Sequence, residues 1–463
     1  MQRSSALVLA APPAAPAGRG LRSPSAPRFG GARFALAVAV LLTLGACGKK
    51  EEGGASQGAA PVQQTPADLQ HGLLLALSQF EIGPDGKVLP KPGPARLEWV
   101  IRKDGKWQTG ALEDPESNVF HKALVYPVPG AAPGLLTLGG NAAAVKLWRG
   151  APGDLVAQPV WRAEFGGKQN RMRDAEIGDV LGDGRTDVAI ATHDQGVVAL
   201  VLPNPDGSYE VRELDREPDT FVHEIELGDL DGDGVMEIYA TPSEPNRLDG
   251  TPQSGKVVRY TPKKGEPRTI VADLGRRHAK EILVKDVDGD GRDELYVCVE
   301  AETEGKDAGL RIKAPVEVRR YEAATEPAKG KTIATIDDRL CRFLTAGDVD
   351  GDGKKEMVAA TFRSGVWLLR PGADPNQPWK KEVVDGKSSG FEHAVLLTDL
   401  DGDKRDELYV ASDDQGELRR YVWKDGRPVP EVLLERKVPG SVLTWNLMPV
   451  PVELLPAKAA TTP

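Results

Sequence analysis

Between residues 95 and 450 the chain alternates short apolar runs with turns rich in Gly, Pro and Asp. His223 to Leu227 (HEIEL), Glu237 to Thr241 (EIYAT), Gly255 to Tyr260 (GKVVRY) and Thr269 to Leu274 (TIVADL) are four such runs, the last two parted by PKKGEP. Their β-branched and aromatic content, their shortness and the turn residues between them predict strands. The third run returns elsewhere as VVALVL, VEVRRY, VWLLRP and ELRRYV. No 11-residue stretch inside these units carries a helical period. The pattern predicts an all-β body.

Five copies of one acidic segment set the period of that body. They are GDVLGDGRTDVAIAT, GDLDGDGVMEIYAT, KDVDGDGRDELYVCV, GDVDGDGKKEMVAAT and TDLDGDKRDELYVAS, with first aspartates Asp179, Asp229, Asp286, Asp348 and Asp399. The spacings of 50, 57, 62 and 51 residues suit one four-stranded propeller blade per unit. Two more blades emerge in the same register. Residues 111–125 match 213–227, so VYPVPGAAPGLLTLGG opens a blade whose acidic loop has decayed, with Pro127 in the place of the first aspartate. Arg96 to Asp114 reads as a late-blade hairpin without a first strand, and Ser441 to Leu447 (SVLTWNL) as a first strand without a blade. Joined, they close a seven-bladed β-propeller by pairing N- and C-terminal strands, which removes bare sheet edges. The place of Leu73 to Ser78 (LLLALS) stays open at this point.

The acidic loops have the donor pattern of a cation site. Counting from the first aspartate, carboxylates stand at positions 1, 3, 5 and 9, Gly at 4 and 6, and a strand follows. The expected ligands are Asp229, Asp231, Asp233 and Glu237; Asp286, Asp288, Asp290 and Glu294; Asp348, Asp350, Asp352 and Glu356; Asp399, Asp401, Asp403 and Glu407; and Asp179, Asp183 and Asp187. Main-chain carbonyls at position 7 (Arg185, Val235, Arg292, Lys354 and Arg405) complete each set. Like charges at this density repel unless a cation lies among them. Calcium, a hard ion that takes six to eight oxygens, is the expected cofactor. The loops at Asp229, Asp286 and Asp348 are complete. Leu181 at position 3 weakens the loop at Asp179, and Lys404 stands where Gly would make the bend of the loop at Asp399.

The first residues are of another kind. Residues 1–33 hold five Arg and no acid, and Phe34 to Ala46 is thirteen residues without charge, too short for a membrane span. Leu44-Gly45-Ala46-Cys47 resembles the lipobox of bacterial lipoproteins. That resemblance implies a signal peptide over 1–46, acylation of Cys47, and, because Gly48 follows, the outer membrane. Residues 47–70 read as a flexible tether and 457–463 as a disordered tail, bounding a propeller over 71–456. Loss of the five Arg takes the formal charge from −10 to −15, which suits cations and disfavours nucleic acid. Only Cys298 and Cys341 then remain; they could pair, but two cysteines are no disulfide framework.

The five copies resemble the FG-GAP/VCBS repeats of integrin α-chain propellers and of many secreted bacterial proteins, over about residues 95–450. The resemblance implies calcium loops joining first and second strands on one face, with ligands on the opposite face. Six residues before each first-aspartate position stand His121, Arg173, His223, Lys280, Arg342 and His393, all basic. They are candidates for holding an anionic ligand; alternatively they hydrogen-bond neighbouring blades. No G-x-S-x-G, P-loop, H-E-x-x-H or C-x-x-C is present. The expected role is a calcium-binding module of the cell envelope for a protein or glycan partner. The alternative is a polysaccharide lyase using the basic mouth.

Overall fold

The computed structural model describes residues 65–456 apart from 142, 151–153, 167–169, 194, 245–252 and 306–308. The expected signal, Cys47 and the 457–463 tail lie outside the described residues. Seven sheets form a seven-bladed β-propeller. Blade one runs Phe120–Tyr126, Gly134–Gly139, Ala144–Arg149, Val156–Arg162. Blade two is Met172–Gly178, Asp187–Thr192, Val198–Pro203, Tyr209–Asp215, and blade three is Phe221–Gly228, Glu237–Ser243, Lys256–Thr261, Glu266–Asp273. Blade four is Ala279–Lys285, Glu294–Val299, Val316–Tyr321, Lys331–Ile336, with a side hairpin of Glu302–Glu304 and Arg311–Ala314. Blade five is Cys341–Gly347, Glu356–Thr361, Val366–Arg370, Lys380–Asp385, and blade six is Val395–Thr398, Glu407–Ser412, Glu417–Lys424, Arg427–Glu435. Within each, the first strand is innermost and consecutive strands pair antiparallel.

Blade seven closes the ring. Its innermost strand, Val442–Pro451, comes from the C-terminal end and pairs with His71–Ile82, followed by Ala95–Lys103 and Lys106–Asp114. LLLALS is therefore the second strand of this blade, its Leu73, Leu75 and Leu77 opposite Pro449, Leu447 and Thr444. The body begins before residue 71: Leu69 is buried in the seam between blades six and seven, and Arg102 Nε donates to the Pro66 carbonyl at 2.9 Å.

Second strands such as DVAIAT, ELYVCV and EMVAAT are buried along their whole length, since strands flank them in the sheet and a blade covers each face. Fourth strands such as YEVRELD and EPRTIVAD are mostly exposed or half-buried instead, because they form the outer edge of each sheet. The core is consequently divided into wedges between blades. Seven apolar clusters occupy the seven seams. One joins Leu124, Leu136 and Val145 to Ala175, Val188 and Val201; the one that completes the ring joins Leu74, Leu97 and Trp99 to Phe120, Ala123 and Leu135. Among the described residues no helix is long and apolar enough to cross a membrane.

Cys298 and Cys341 form a disulfide across the seam between blades four and five. Their spacing alone left pairing open; packing of adjacent blades brings their Cα atoms to 6.0 Å. A link closing a separation of 43 residues stabilises chiefly by restricting the unfolded chain. Replacing both by Ala is expected to lower unfolding free energy by about 2–5 kcal/mol. The check is a denaturant midpoint, and an unchanged midpoint would count against a structural role.

Candidate functional site

All five acidic loops join a first to a second strand, at one end of the innermost strands. Position 1 organises each loop. Both oxygens of Asp229 accept main-chain N–H groups, from Asp233 at 3.0 Å and Gly234 at 2.7 Å. Asp286 accepts from Gly289 and Gly291, Asp348 from Gly351 and Gly353, Asp399 from Gly402 and Lys404, and Asp179 from Asp183 and Gly184. Position 5 then accepts the N–H of position 7 in every copy: Asp183 from Arg185, Asp233 from Val235, Asp290 from Arg292, Asp352 from Lys354, Asp403 from Arg405. The bend at position 6 needs a left-handed backbone, as at Gly234 (φ 78). Lys404 adopts the same conformation, with φ 69, at the cost a side chain incurs there.

Carboxylate oxygens converge within 4.8 Å of one another in four loops. Asp286, Asp288, Asp290 and Glu294 meet in one; Asp229, Asp231 and Asp233 in another; Asp348, Asp350 and Glu356, and Asp399, Asp401 and Glu407 in the remaining two. Oxygens held about 2.3–2.6 Å from one ion lie no more than about 5 Å apart, so these sets fit a divalent cation. The loop at Asp179 forms no such group: Leu181 removes one donor, Asp183 is held by Arg185, and Asp187 accepts the Leu181 N–H at 3.2 Å. Among the expected ligands, Glu237, Asp352 and Asp403 also stand outside their groups.

Sequence reasoning missed an arginine in each of the four converging loops. It comes from the third strand and bridges positions 3 and 9. Arg259 contacts Asp231 and Glu237 at 3.1 and 3.0 Å, and Arg320 contacts Asp288 and Glu294 at 2.6 and 3.1 Å. Arg370 holds Asp350 at 2.9 Å and also Glu356; Arg420 holds Asp401 at 2.5 Å and also Glu407. Where position 3 is lost, as Leu181, Leu200 occupies the strand position that Arg259 holds in blade three. The repeated R in VVRY, VRRY and LRRY was the available signal. Burial pushes the position-9 carboxyls up, Glu294 and Glu356 to about 7 and Glu407 to about 8, even against these arginines. Yet in each of the four loops the arginine donates to only one oxygen of the position-3 carboxylate. Oδ1 of Asp350 and of Asp401 is buried without a hydrogen-bond partner, which is the lone-pair supply a further cation would use.

Position 8 was also missed. It reaches back to the preceding blade's first aspartate: Asp293 accepts the Asp229 N–H at 2.9 Å, Asp406 the Asp348 N–H at 2.8 Å, and Lys355 donates to the Asp286 carbonyl at 2.6 Å. Gly228 and Gly347 precede those aspartates because a Cβ there would meet Val284 and Asp406 at 2.2 Å. The loops of blades three to six are therefore linked one to the next.

At the opposite end of the innermost strands lie the six basic residues, all buried. Pairing between first and second strands slips at His121, Arg173 and Arg342, across His223–Glu224, and across Lys280–Glu281. Such bulges re-aim side chains out of strict alternation. The same slip in blade seven falls at Trp445, the seventh member of the ring and one with no basic signature. His393 precedes its strand, with φ 58. Two members tie neighbouring segments: His121 Nδ1 meets the Met172 carbonyl at 2.6 Å, and His393 meets the Thr361 carbonyl at 2.6 Å and Ser388 Oγ at 2.7 Å. One residue along, Asp174 accepts the Ile225 N–H at 3.0 Å and Glu281 the Leu344 N–H at 2.7 Å. Of the two readings of these basic residues, blade-to-blade bonding thus describes His121 and His393. Burial holds His121, His193 and His223 well below the usual histidine range.

A closed ring of seven blades with acidic loops between first and second strands defines the class of this protein. The FG-GAP-like repeat family matches residues 179–240 and 348–410, each match starting at a loop's first aspartate. The chain is a seven-bladed β-propeller that carries FG-GAP-like repeats at these two positions. No curated protein matches it. Among solved structures, a Lactobacillus plantarum protein is similar at 9% identity and TM-score 0.50, over 82% of this chain and 100% of that one. An Agrocybe aegerita lectin described as recognising non-reducing terminal N-acetylglucosamine is 14% identical, with TM-score 0.47, over 83% and 96% of the two chains. A Pseudomonas brassicacearum lignostilbene dioxygenase is 10% identical, with TM-score 0.46, over 83% and 93%. The first shares the fold; the other two are too distant to bear on function.

Proposed function

We propose that this propeller binds calcium in its acidic loops and is held at the bacterial cell envelope, on the outer membrane, by a lipid on Cys47. There it serves as a binding or scaffold module for a protein or glycan and performs no chemistry of its own. The observation that carries the calcium reading is the convergence of all-oxygen donor sets in four loops, with buried acceptors left over at Asp350 and Asp401. Calcium supplies the charge these sets need and tolerates their unequal ligand numbers. Asp286, Asp288, Asp290 and Glu294 would hold it most firmly. The six basic residues are buried, so the geometry lends a polymer-cleaving reading no support.

Two measurements test this reading. Calorimetric titration of metal-stripped protein is expected to find about four calcium ions per chain, in the range of extracellular sites, roughly 10⁻⁴–10⁻³ M. No heat of binding up to millimolar calcium would refute the ion. For the anchor, the full chain produced in a bacterial host is expected to fractionate with membranes and take up labelled palmitate, whereas Cys47→Ser becomes soluble. Identical fractionation of both forms would refute the lipid.

A further inference from the structure

The non-acidic end of the innermost strands carries a second charge imbalance, of opposite sign, that does not depend on the calcium reading. Arg173, Lys280 and Arg342 meet there with two carboxylates, Glu300 and Glu392, all five buried. Glu300 is already shared, contacting Arg342 Nε at 2.5 Å and His278 Nε2 at 2.7 Å. Glu392 reaches Arg342 at 3.3 Å and Arg173 at 3.5 Å, longer than the roughly 2.8 Å of a well-formed charge-assisted bond. The neighbouring acids are engaged elsewhere: Asp174 pairs with Lys122 at 2.9 Å, and Glu281 accepts a main-chain N–H.

The donors are correspondingly underused. Lys280 Nζ has no hydrogen-bond partner although the residue is 1% exposed, and neither ring nitrogen of His223, 3% exposed, has one. Arg342 Nη2 and Arg173 Nε are likewise buried and unpartnered. Aromatic faces cover the guanidinium planes, Trp445 over Arg173 at 5.3 Å and Phe391 over Arg342 at 5.0 Å, so the cations are further shielded from water. Buried polar groups in native proteins are matched almost without exception, and an unpaired buried ammonium is among the costliest exceptions. A metal cation does not resolve this, since it would add to three positive charges. One negative charge within reach of Lys280, His223 and Arg342 does.

We propose that the propeller axis, at the end away from the acidic loops, binds a small inorganic anion, from chloride to sulfate in size, through Lys280, His223, Arg342 and Arg173. The ion completes the inner wall of blades two to five, as cations complete the loops at the other end. Small size follows from the burial of every donor. Inter-blade contacts through Glu392, which reaches Arg173 of blade two and Arg342 of blade five across the axis, then depend on the ion.

The test is a melting series of the full chain at fixed calcium in sodium gluconate, chloride and sulfate of equal ionic strength. The midpoint is expected to rise saturably with chloride or sulfate, by about 2 °C or more at saturation, relative to gluconate. Lys280→Met removes the buried ammonium and is expected to melt higher than the parent in gluconate, with the anion-dependent rise lost. Equal rises in both proteins would be general salting and would overturn the proposal, as would a Lys280→Met midpoint below the parent in every salt. If Lys280→Met does not fold, His223→Leu serves the same comparison, and bromide-soaked crystals of the parent decide. An anomalous peak within hydrogen-bond reach of Lys280 Nζ supports the site, and none there overturns it.

Discussion

Chelation of calcium is expected to lower the melting midpoint of the purified chain by about 10 °C. An ion held at a hundred times its dissociation constant contributes about 2.7 kcal/mol to folding stability, and four independent loops together about 10 kcal/mol. For a body of this length that corresponds to roughly 10–15 °C. The effect should divide unequally among loops. Asp290→Asn removes a negative charge from the group that gathers four carboxylates, so it is expected to cancel roughly a quarter of the calcium-dependent rise. Asp183→Asn alters a loop without a converged group and should leave that rise untouched. Scanning calorimetry with and without chelator reads both variants. A parent midpoint indifferent to chelator, or equal effects of the two substitutions, would dismantle the ion assignment.

Ending the chain at Gly440 is expected to abolish the folded monomer. Val442–Pro451 is the innermost strand of blade seven, and its loss exposes the Leu73–Leu77 edge along with two interior seams. Val442, Trp445, Leu447 and Val450 are buried, each contributing about 1.5–3 kcal/mol of apolar burial, so their removal alone approaches the whole stability of a typical domain. The bare apolar edge adds an aggregation template. The readout is soluble monomer by size exclusion, with a synthetic peptide of residues 441–456 supplied in trans. The peptide should restore monomer, because the pairing it makes is local to one strand. A truncated chain that stays monomeric and melts cooperatively at the parent temperature would show that closure is not what holds the ring.

Much of this architecture was legible because a blade is a local object. The spacing of Asp179, Asp229, Asp286, Asp348 and Asp399 fixed the repeat, and the match of 111–125 to 213–227 recovered a blade without its acidic loop. The composite blade followed from two fragments, each lacking what the other had. LLLALS resisted assignment because its partners, 443–449 on one side and 96–100 on the other, are remote or uninformative in sequence. The candidate loops were legible for the same local reason: their donors lie within nine residues.

What resisted reading was whatever crosses a strand boundary or a seam. Arg259, Arg320, Arg370 and Arg420 arrive at the loops from the third strand, and nothing in D-x-D-G-D-G announces them. Asp293 and Asp406 take their role from the preceding blade, whose first aspartate places an N–H against each. Trp445 replaces a basic residue, so a search for charge passed over it, and the pairing of Cys298 with Cys341 depended on two blades lying side by side.

The amino-acid sequence by itself determined the strand period, the number of blades and the positions of the acidic donors, because each is written in residues near one another along the chain. Only the tertiary structure decided which carboxylates converge, which cations of the chain already neutralise them, and which buried donors at the axis are left without partners. Those are sums over groups that only ring closure brings within a few ångström, and electrostatic energy depends on that distance rather than on separation in sequence.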